Sequence, residues 1–324
     1  MTKFCSVLVA GGAGFIGSHI ADKLTAQDIE VTVLDNLYTG LLENIENCNR
    51  NRKFRFVQGD VRNFNIVKRL VKDVDVVFNE AAVVSVSRSL ENPLLANEVN
   101  VGGTLNLLKA SLDSGVKRYI QASSASVYGN TETLPVDETL ALNPVSPYAV
   151  AELAAENYAK VFYRSYGLET ICLRYFNVYG PRQTFSAYSG ATTIFLNKLS
   201  RGQRPIIFGD GEQTRDFVYV EDVVEANMLA LNSAKAVGEA LNIGTGMPHT
   251  INELVQRLQE KLDQQQLKPI YKSSRQGDIR NSYASIEKAK RLLGYKPKFS
   301  LEEGINKLVE WVQHAPSSMR ESVT

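Results

Sequence analysis

The run Val7-Leu-Val-Ala-Gly-Gly-Ala-Gly-Phe-Ile-Gly17, followed by Asp35, constrains the fold more than any other stretch of the chain. Its apolar start reads as a buried strand, and its glycines turn that strand into a helix. Gly11 permits the tight turn, Gly14 lets backbone N–H groups approach a pyrophosphate, and Gly17 lets helix and strand pack closely. The helix N-terminus then directs free N–H groups and partial positive charge at the phosphates. Glu30-Val-Thr-Val-Leu-Asp35 reads as a second strand with an acid at its end. Asp35 falls near the roughly 20-residue spacing at which a carboxylate binds a ribose 2′-hydroxyl. A carboxylate there repels a 2′-phosphate, so the expected cofactor is NAD rather than NADP. The plain alternative is a tight strand–helix turn with no ligand. A secretion signal, suggested by Lys3 before the apolar run, is disfavoured by the glycines inside that run.

With 324 residues and 44% hydrophobic content, the chain can bury one large core or two modest ones. Its 36 Lys and Arg nearly cancel its 35 Asp and Glu, and no long single-sign block occurs, so neither a nucleic acid nor an anionic membrane is an expected partner. Cys5, Cys48 and Cys172 are scattered and form no CxxC pair, which suits a reducing cytoplasm without disulfides or structural zinc. Three histidines leave little for a metal site, and no metal is expected. No apolar run approaches the ~20 residues of a membrane span.

Strands and helices alternate through the first half. Phe54–Val57, Val74–Phe78, Arg118–Ala122 and Glu169–Arg174 read as further strands. Pro93 to Ser114 reads as one helix, with Asn92 as N-cap and Pro93 at its first position. Repeated βα units of this length predict an α/β fold, a doubly wound parallel sheet (Rossmann) with helices on both faces. Past about Tyr179 the pattern loosens. A helix near Thr192–Arg201, a capping box at Thr250-Ile-Asn-Glu253 and a last helix around Leu301–Gln313 mark a smaller mixed α/β substrate lobe. The expected division is 1–177 for the NAD-binding domain, with a returning segment at about 217–246, and 178–216 plus 247–324 for the substrate domain.

Ser123-Ser-Ala-Ser-Val-Tyr-Gly129 follows a strand, at the edge where an α/β sheet places its ligands. Ser146-Pro-Tyr-Ala-Val-Ala-Glu152 opens a helix, with Ser146 as N-cap and Pro147 at the first position. Together with Gly11-x-x-Gly-x-x-Gly17, these segments resemble the extended short-chain dehydrogenase/reductase superfamily, and within it the UDP-sugar 4-epimerases. The resemblance covers essentially the whole chain. It includes Asp60-Val61, Asn100-Val-x-Gly-Thr104, Tyr175-Phe-Asn-Val-Tyr-Gly-Pro181, Gly209-Asp-Gly-x-Gln-x-Arg-Asp-Phe217 and Arg275-x-Gly-Asp278. It implies that Tyr148 removes the proton from a sugar 4-hydroxyl while Ser124 hydrogen-bonds the same group. It places Gly11, Gly14, Phe15, Ile16, Gly17, Asp35, Asn36, Asp60, Val61, Ala81, Ala82, Asn100, Ser123, Tyr148 and Tyr175 on the cofactor. The helices near Pro93–Ser114 and Tyr148–Tyr163 correspond to those through which such enzymes form homodimers.

One position departs from the pattern. A free phenol has a pKa of about 10, so only ~0.1% is ionised near pH 7. The family corrects this with a lysine four residues after the tyrosine, one turn away on the same face. Here that residue is Glu152, and no tyrosine in the chain has a lysine at that spacing. A carboxylate beside Tyr148 raises the phenol pKa if the two groups approach. Three readings follow: a working but slowed epimerase, a protein that binds NAD and a nucleotide sugar without turnover, or a related reaction in which Glu152 is a new acid or base. Family dehydratases carry an Asp-Glu pair, and decarboxylases a glutamate, where this chain has Ala125 and Ser126. Loss of water or carbon dioxide is therefore disfavoured. Asn79-Glu80-Ala-Ala82 is a second departure, and Glu80 is expected near the adenosine or diphosphate side of the cofactor.

The resemblance also implies a nucleotide-sugar substrate. Asn177 donates to its diphosphate, Arg215 and Arg275 pair with phosphate oxygens, and Asp278 binds the nucleoside ribose. Ser124 and Ser126 face the sugar. Ser282 occupies the position beside the C2 substituent, where a bulky tyrosine goes with plain hexoses and a small residue with N-acetylhexosamines. Serine favours UDP-N-acetylglucosamine/N-acetylgalactosamine, with UDP-glucose/galactose also admissible.

Overall fold

A computed structural model describes residues 4–184, 190–274 and 279–314. Its centre is a seven-stranded parallel sheet. β1 (Ser6–Ala10), β2 (Glu30–Asp35), β3 (Phe54–Gln58), β4 (Val76–Asn79), β5 (Arg118–Ser124) and β6 (Glu169–Tyr175) lie in the order β3-β2-β1-β4-β5-β6, and Ala240–Ile243 closes the β6 edge. β1 pairs with β2 through Val7↔Val31 and with β4 through Val7↔Val76. The strand order therefore reverses between β1 and β4, which opens a crevice at their carboxyl ends.

Strand alternation divides the core between the two faces. Val7, Val9, Val33, Phe78 and Ile120 pack on one side, and Leu8, Ala10, Leu34, Val77 and Tyr119 on the other. Central strands covered on both faces have no polar face, hence the continuous apolar runs in the sequence. Each fully buried Val or Leu contributes roughly 1.5–3 kcal/mol.

The helices are α1 (Phe15–Thr25), α2 (Phe64–Leu70), α3 (Val86–Glu91), α4 (Pro93–Ala96), α5 (Thr104–Ser114) and α6 (Pro147–Tyr166). The single helix expected over Pro93–Ser114 is interrupted. Asn92 caps it by accepting from the Leu95 N–H at 3.0 Å, but Asn97–Gly103 widens to π-helical pairing before α5 resumes. Such stretches are frequent at functional sites. This one contains the buried Asn100. At α6, Ser146 accepts from the Ala149 N–H at 3.1 Å with Pro147 at the first position, as the sequence predicts.

Beyond the sheet, Asn177–Tyr179 pairs with Phe217–Tyr219, and Thr214–Arg215 lies between His249–Thr250 and Asn281–Ser282. The Thr250–Glu253 capping box opens the helix Ile251–Leu262. No described helix is long and apolar enough to cross a membrane.

Candidate active site

The turn after β1 is built for an anion. Gly11 has φ +75°, and a Cβ on it would meet the Ala81 backbone nitrogen at 2.7 Å. A Cβ on Gly17 would fall 2.3 Å from the Gly11 carbonyl oxygen, so any larger residue would push α1 off the turn. Gly14 caps α1 without a side chain, leaving Phe15, Ile16 and their neighbours to present backbone N–H groups. Asp35 is buried at the end of β2, where its carboxylate accepts from the Ala13 N–H at 3.0 Å and the Leu37 N–H at 2.8 Å. Burial raises its pKa, and the surrounding N–H groups oppose that rise. Asn36 donates to Asp60 at 2.8 Å, Arg62 holds Asp60 at a pKa of about 2, and Val61 is buried beside it. These residues fit the adenosine and diphosphate half of a dinucleotide.

The other half of the crevice gathers side chains from five segments. Ser124, at the end of β5, lies near enough to the Tyr148 phenol to lower its pKa, and it accepts from the Ser126 N–H at 3.1 Å. The Ser126 hydroxyl is buried with no partner among the described residues. Tyr148 is seated by its own N–H, which donates to Ser89 Oγ of α3 at 3.0 Å. Burial pushes its phenol well above the ordinary value, the Glu152 carboxylate adds to that push, and the neighbouring Ser124 hydroxyl opposes it.

Glu152 is only 5% exposed. Its Oε1 accepts from Asn100 Nδ2 at 2.7 Å, and Asn100 is held in turn by the Val83 backbone N–H at 2.8 Å. Burial pushes the Glu152 carboxyl up to about 8; Asn100 pulls it down and the charge of Glu156 pushes it further up. Glu80 does not turn toward the adenosine side. Its backbone lies against Gly11, but its Oε1 accepts from the Tyr175 hydroxyl at 2.9 Å, and its charge interacts with Glu152. Its pKa is also pushed up to about 8, mainly by burial. Tyr175 is fixed by Asn227, whose Nδ2 donates to the phenol oxygen at 2.8 Å. Ala81 and Ala82 follow Glu80 over the glycine turn, both half-buried.

Two residues central to the site's framework were not anticipated. Glu156, one turn past Glu152, accepts from Arg174 at 2.7 and 2.8 Å, from Lys160 at 2.5 Å and from Ser123 at 2.8 Å. Ser123, expected at the cofactor, thus turns its hydroxyl inward to Glu156. Arg174 also donates to Tyr128, which donates to Asn242. An acid followed four residues later by Lys160 was the available signal for this pairing.

On the substrate side, Asn177 starts a strand beside Phe217–Tyr219, and its N–H donates to the Asp216 carbonyl at 3.0 Å. Asp216 is buried and accepts from Thr245, Gly246 and Ala284, which fixes the loop carrying Arg215. Arg215 is paired in register with Ser282, so residues far apart in sequence become neighbours. Arg275 and Asp278 lie outside the described residues. No group of histidine, cysteine and acidic residues suited to a metal occurs among the described residues.

A dinucleotide fold whose reactive half presents a serine–tyrosine pair defines the class of short-chain dehydrogenases/reductases. Residues 8–308 match the family described as GDP-mannose 4,6 dehydratase, and the chain belongs to it. It is 43% identical over 310 residues to a putative UDP-glucose 4-epimerase of Methanocaldococcus jannaschii, covering 95% of this chain and 98% of the relative. The UDP-N-acetylglucosamine 4-epimerase of Methanobrevibacter ruminantium, solved with UDP-N-acetylmuramic acid, superposes with a TM-score of 0.91 at 37% identity, covering 97% of this chain and 99% of that one. The UDP-glucose 4-epimerase of Thermus thermophilus, solved with NAD, gives 0.87 at 38% identity over 96% of this chain and 99% of its own.

Proposed function

We propose that this protein epimerises a UDP-sugar at C4, and the observation that carries the reading is that the Ser124 hydroxyl and the Tyr148 phenol come together at the carboxyl edge of the sheet. NAD, held by Gly11, Gly14, Gly17 and Asp35, supplies a hydride acceptor that later returns the hydride to the opposite face of the sugar. Tyr148 takes the proton of the 4-hydroxyl and gives it back, and Ser124 orients that hydroxyl between the two. Glu152 replaces the helix cation that would favour phenolate, so proton removal is slower than with a lysine. Ala125 and Ser126 offer no carboxyl group for elimination or decarboxylation, which separates this chain from the dehydratase chemistry in the family's name.

The register of Ser282 beside Arg215 supports an N-acetylhexosamine: a serine next to the phosphate-binding arginine leaves room for an acetamido group. UDP-glucose/galactose remains the second substrate pair, because relatives of both kinds match this chain. A homodimer fits the apolar side chains that α3, α4 and α6 leave in water, among them Leu90 at 64%, Leu94 at 73% and Val150 at 53% exposed. Light scattering on Leu94→Asp tests that surface, with a monomer expected.

Incubating the protein with UDP-N-acetylglucosamine and with UDP-glucose, and following anomeric proton signals, tests the reaction. The expected product is the 4-epimer, formed faster from the N-acetyl sugar and lost by ~100-fold or more in Tyr148→Phe. Glu152→Lys is expected to raise the rate. Tight binding of both sugars without a new anomeric signal would replace the enzyme with a silent binder.

A further inference from the structure

The reactive half of the crevice carries a buried acid, Glu152, a half-buried one, Glu80, and no cation assigned to them. Glu80 and Glu152 each use Oε1 on a neutral donor, the Tyr175 hydroxyl at 2.9 Å and the Asn100 amide at 2.7 Å. Neither Oε2 has a hydrogen-bond partner among the described residues. The cations that α6 and β6 bring nearby, Lys160 and Arg174, are both held by Glu156. The acids are also anchored. Asn227 fixes Tyr175, the Val83 backbone fixes Asn100, and neither carboxylate can swing away cheaply.

Two neighbouring acids, one buried and one half-buried, that repel each other and have only neutral donors are short of positive charge. In a doubly wound sheet a dinucleotide crosses the strand-order reversal, so the half opposite Asp35 lies over the ends of β4, β5 and β6. Those ends carry Glu80, Ser124 and Tyr175, with Glu152 facing them. The nicotinamide ring is cationic when oxidised and neutral when reduced. We propose that Glu80 and Glu152 together act as a redox-selective counter-ion, holding the oxidised dinucleotide in preference to the reduced one. This rests on the dinucleotide reading above and deepens it.

The carboxylates make and break no bond. When a sugar C4–H bond breaks, its electron pair passes to the nicotinamide and the hydroxyl proton passes to Tyr148. The ring's positive charge then disappears, and the acid pair loses its counter-charge. Return of the hydride restores it. The pair therefore disfavours the half-reaction in which the sugar is oxidised, and shortens the time during which an oxidised sugar could escape.

Binding of NAD+ and of NADH to nucleotide-free full-length protein, measured separately by calorimetry and by NADH fluorescence, tests this without turnover. The assay belongs at a pH above about 8, where both acids are ionised. The wild type is expected to bind NAD+ at least ~10-fold more tightly than NADH, a lowering of the bound couple's potential by ~30 mV. Glu152→Gln and Glu80→Gln should each shrink that ratio several-fold, and Glu152→Lys should invert it. Should one variant fail to fold, the other reads the same ratio. Equal binding of both forms by the wild type, or a ratio unchanged in the glutamine variants, overturns the proposal and leaves the dinucleotide site standing. Absence of binding to either form removes both.

Discussion

Two carboxylates one turn apart on α6 share a helix, a face and near-complete exclusion from water, yet they behave in opposite ways. Glu156 is pushed up by burial, but Arg174 and Lys160 overcome this and hold it at about 2. Glu152 has only the Asn100 amide against its burial and rises to about 8. The same helix thus shows a compensated charge that ties α6 to β6, and an acid facing the crevice with no opposite charge beside it. Burial alone does not separate structural from functional acids. What separates them is whether the fold supplies the opposite charge.

The largest test breaks the compensated member. Glu156→Gln leaves Arg174 buried without its carboxylate partner, and Tyr128 cannot take its place because it is neutral. Removing one partner of a buried ion pair costs about 3–5 kcal/mol. Urea unfolding should lose stability of that order, and the pairing of α6 with β6 should loosen, as read by hydrogen exchange at Cys172–Tyr175. Glu152→Gln, one turn earlier, should leave stability near neutral pH unchanged or raise it. Equal losses in both variants would break the distinction.

The two acids should also give stability opposite pH dependences. Glu156 has a folded pKa below its ordinary value of 4.5, so its contribution is present above that value and is lost as pH falls from 4.5 toward about 2. Glu152 and Glu80 have folded pKa values above 4.5, so their contribution is complete below 4.5 and is lost as pH rises from 4.5 to about 8. Unfolding free energy of the nucleotide-free protein should therefore fall between pH 5 and 8, by on the order of a few kcal/mol for the pair. Glu152→Gln should flatten this slope while leaving the acid limb set by Glu156 in place. A slope unchanged by that substitution would mean that Glu152 is ionised in the folded protein across this range.

The scaffold was legible because each strand and cap carries a local signal. The apolar run of β1, the acid ending β2, and the Ser-Pro and Asn-Pro openings of α6 and the Pro93 helix all appear where the sequence places them. What stayed hidden depends on side chains meeting across elements. The π-helical stretch that holds Asn100, Asn97–Gly103, is poor in helix formers, but that composition does not say that the helix widens there rather than ends. The direction of Glu80 follows from where the Tyr175 hydroxyl lies, a residue distant in sequence. Ser123 was expected at the cofactor beside the sugar-facing Ser124, but strand alternation sends its hydroxyl to the opposite side, toward Glu156. Departures from the family pattern at 80 and 152 were visible singly. Their juxtaposition was not, because it needs β4 and α6 to be assembled.

The smallest effect separates the two causes acting on Glu80. Burial is the larger, and the Glu152 charge adds to it, while the Tyr175 hydrogen bond opposes both. In Glu152→Gln the added charge disappears and the burial stays. Glu80 should then titrate lower than in the wild type but still above an ordinary glutamate. Carboxyl carbon shifts of the two proteins, followed across pH with carbon-13 glutamate, would resolve this. The wild-type pair should titrate in two coupled steps, and the variant should show a single step for Glu80. If Glu80 titrates identically in both, the two acids do not sense each other. The selection of the oxidised cofactor would then fall to Glu152 alone, and only that substitution should alter the NAD+ to NADH ratio.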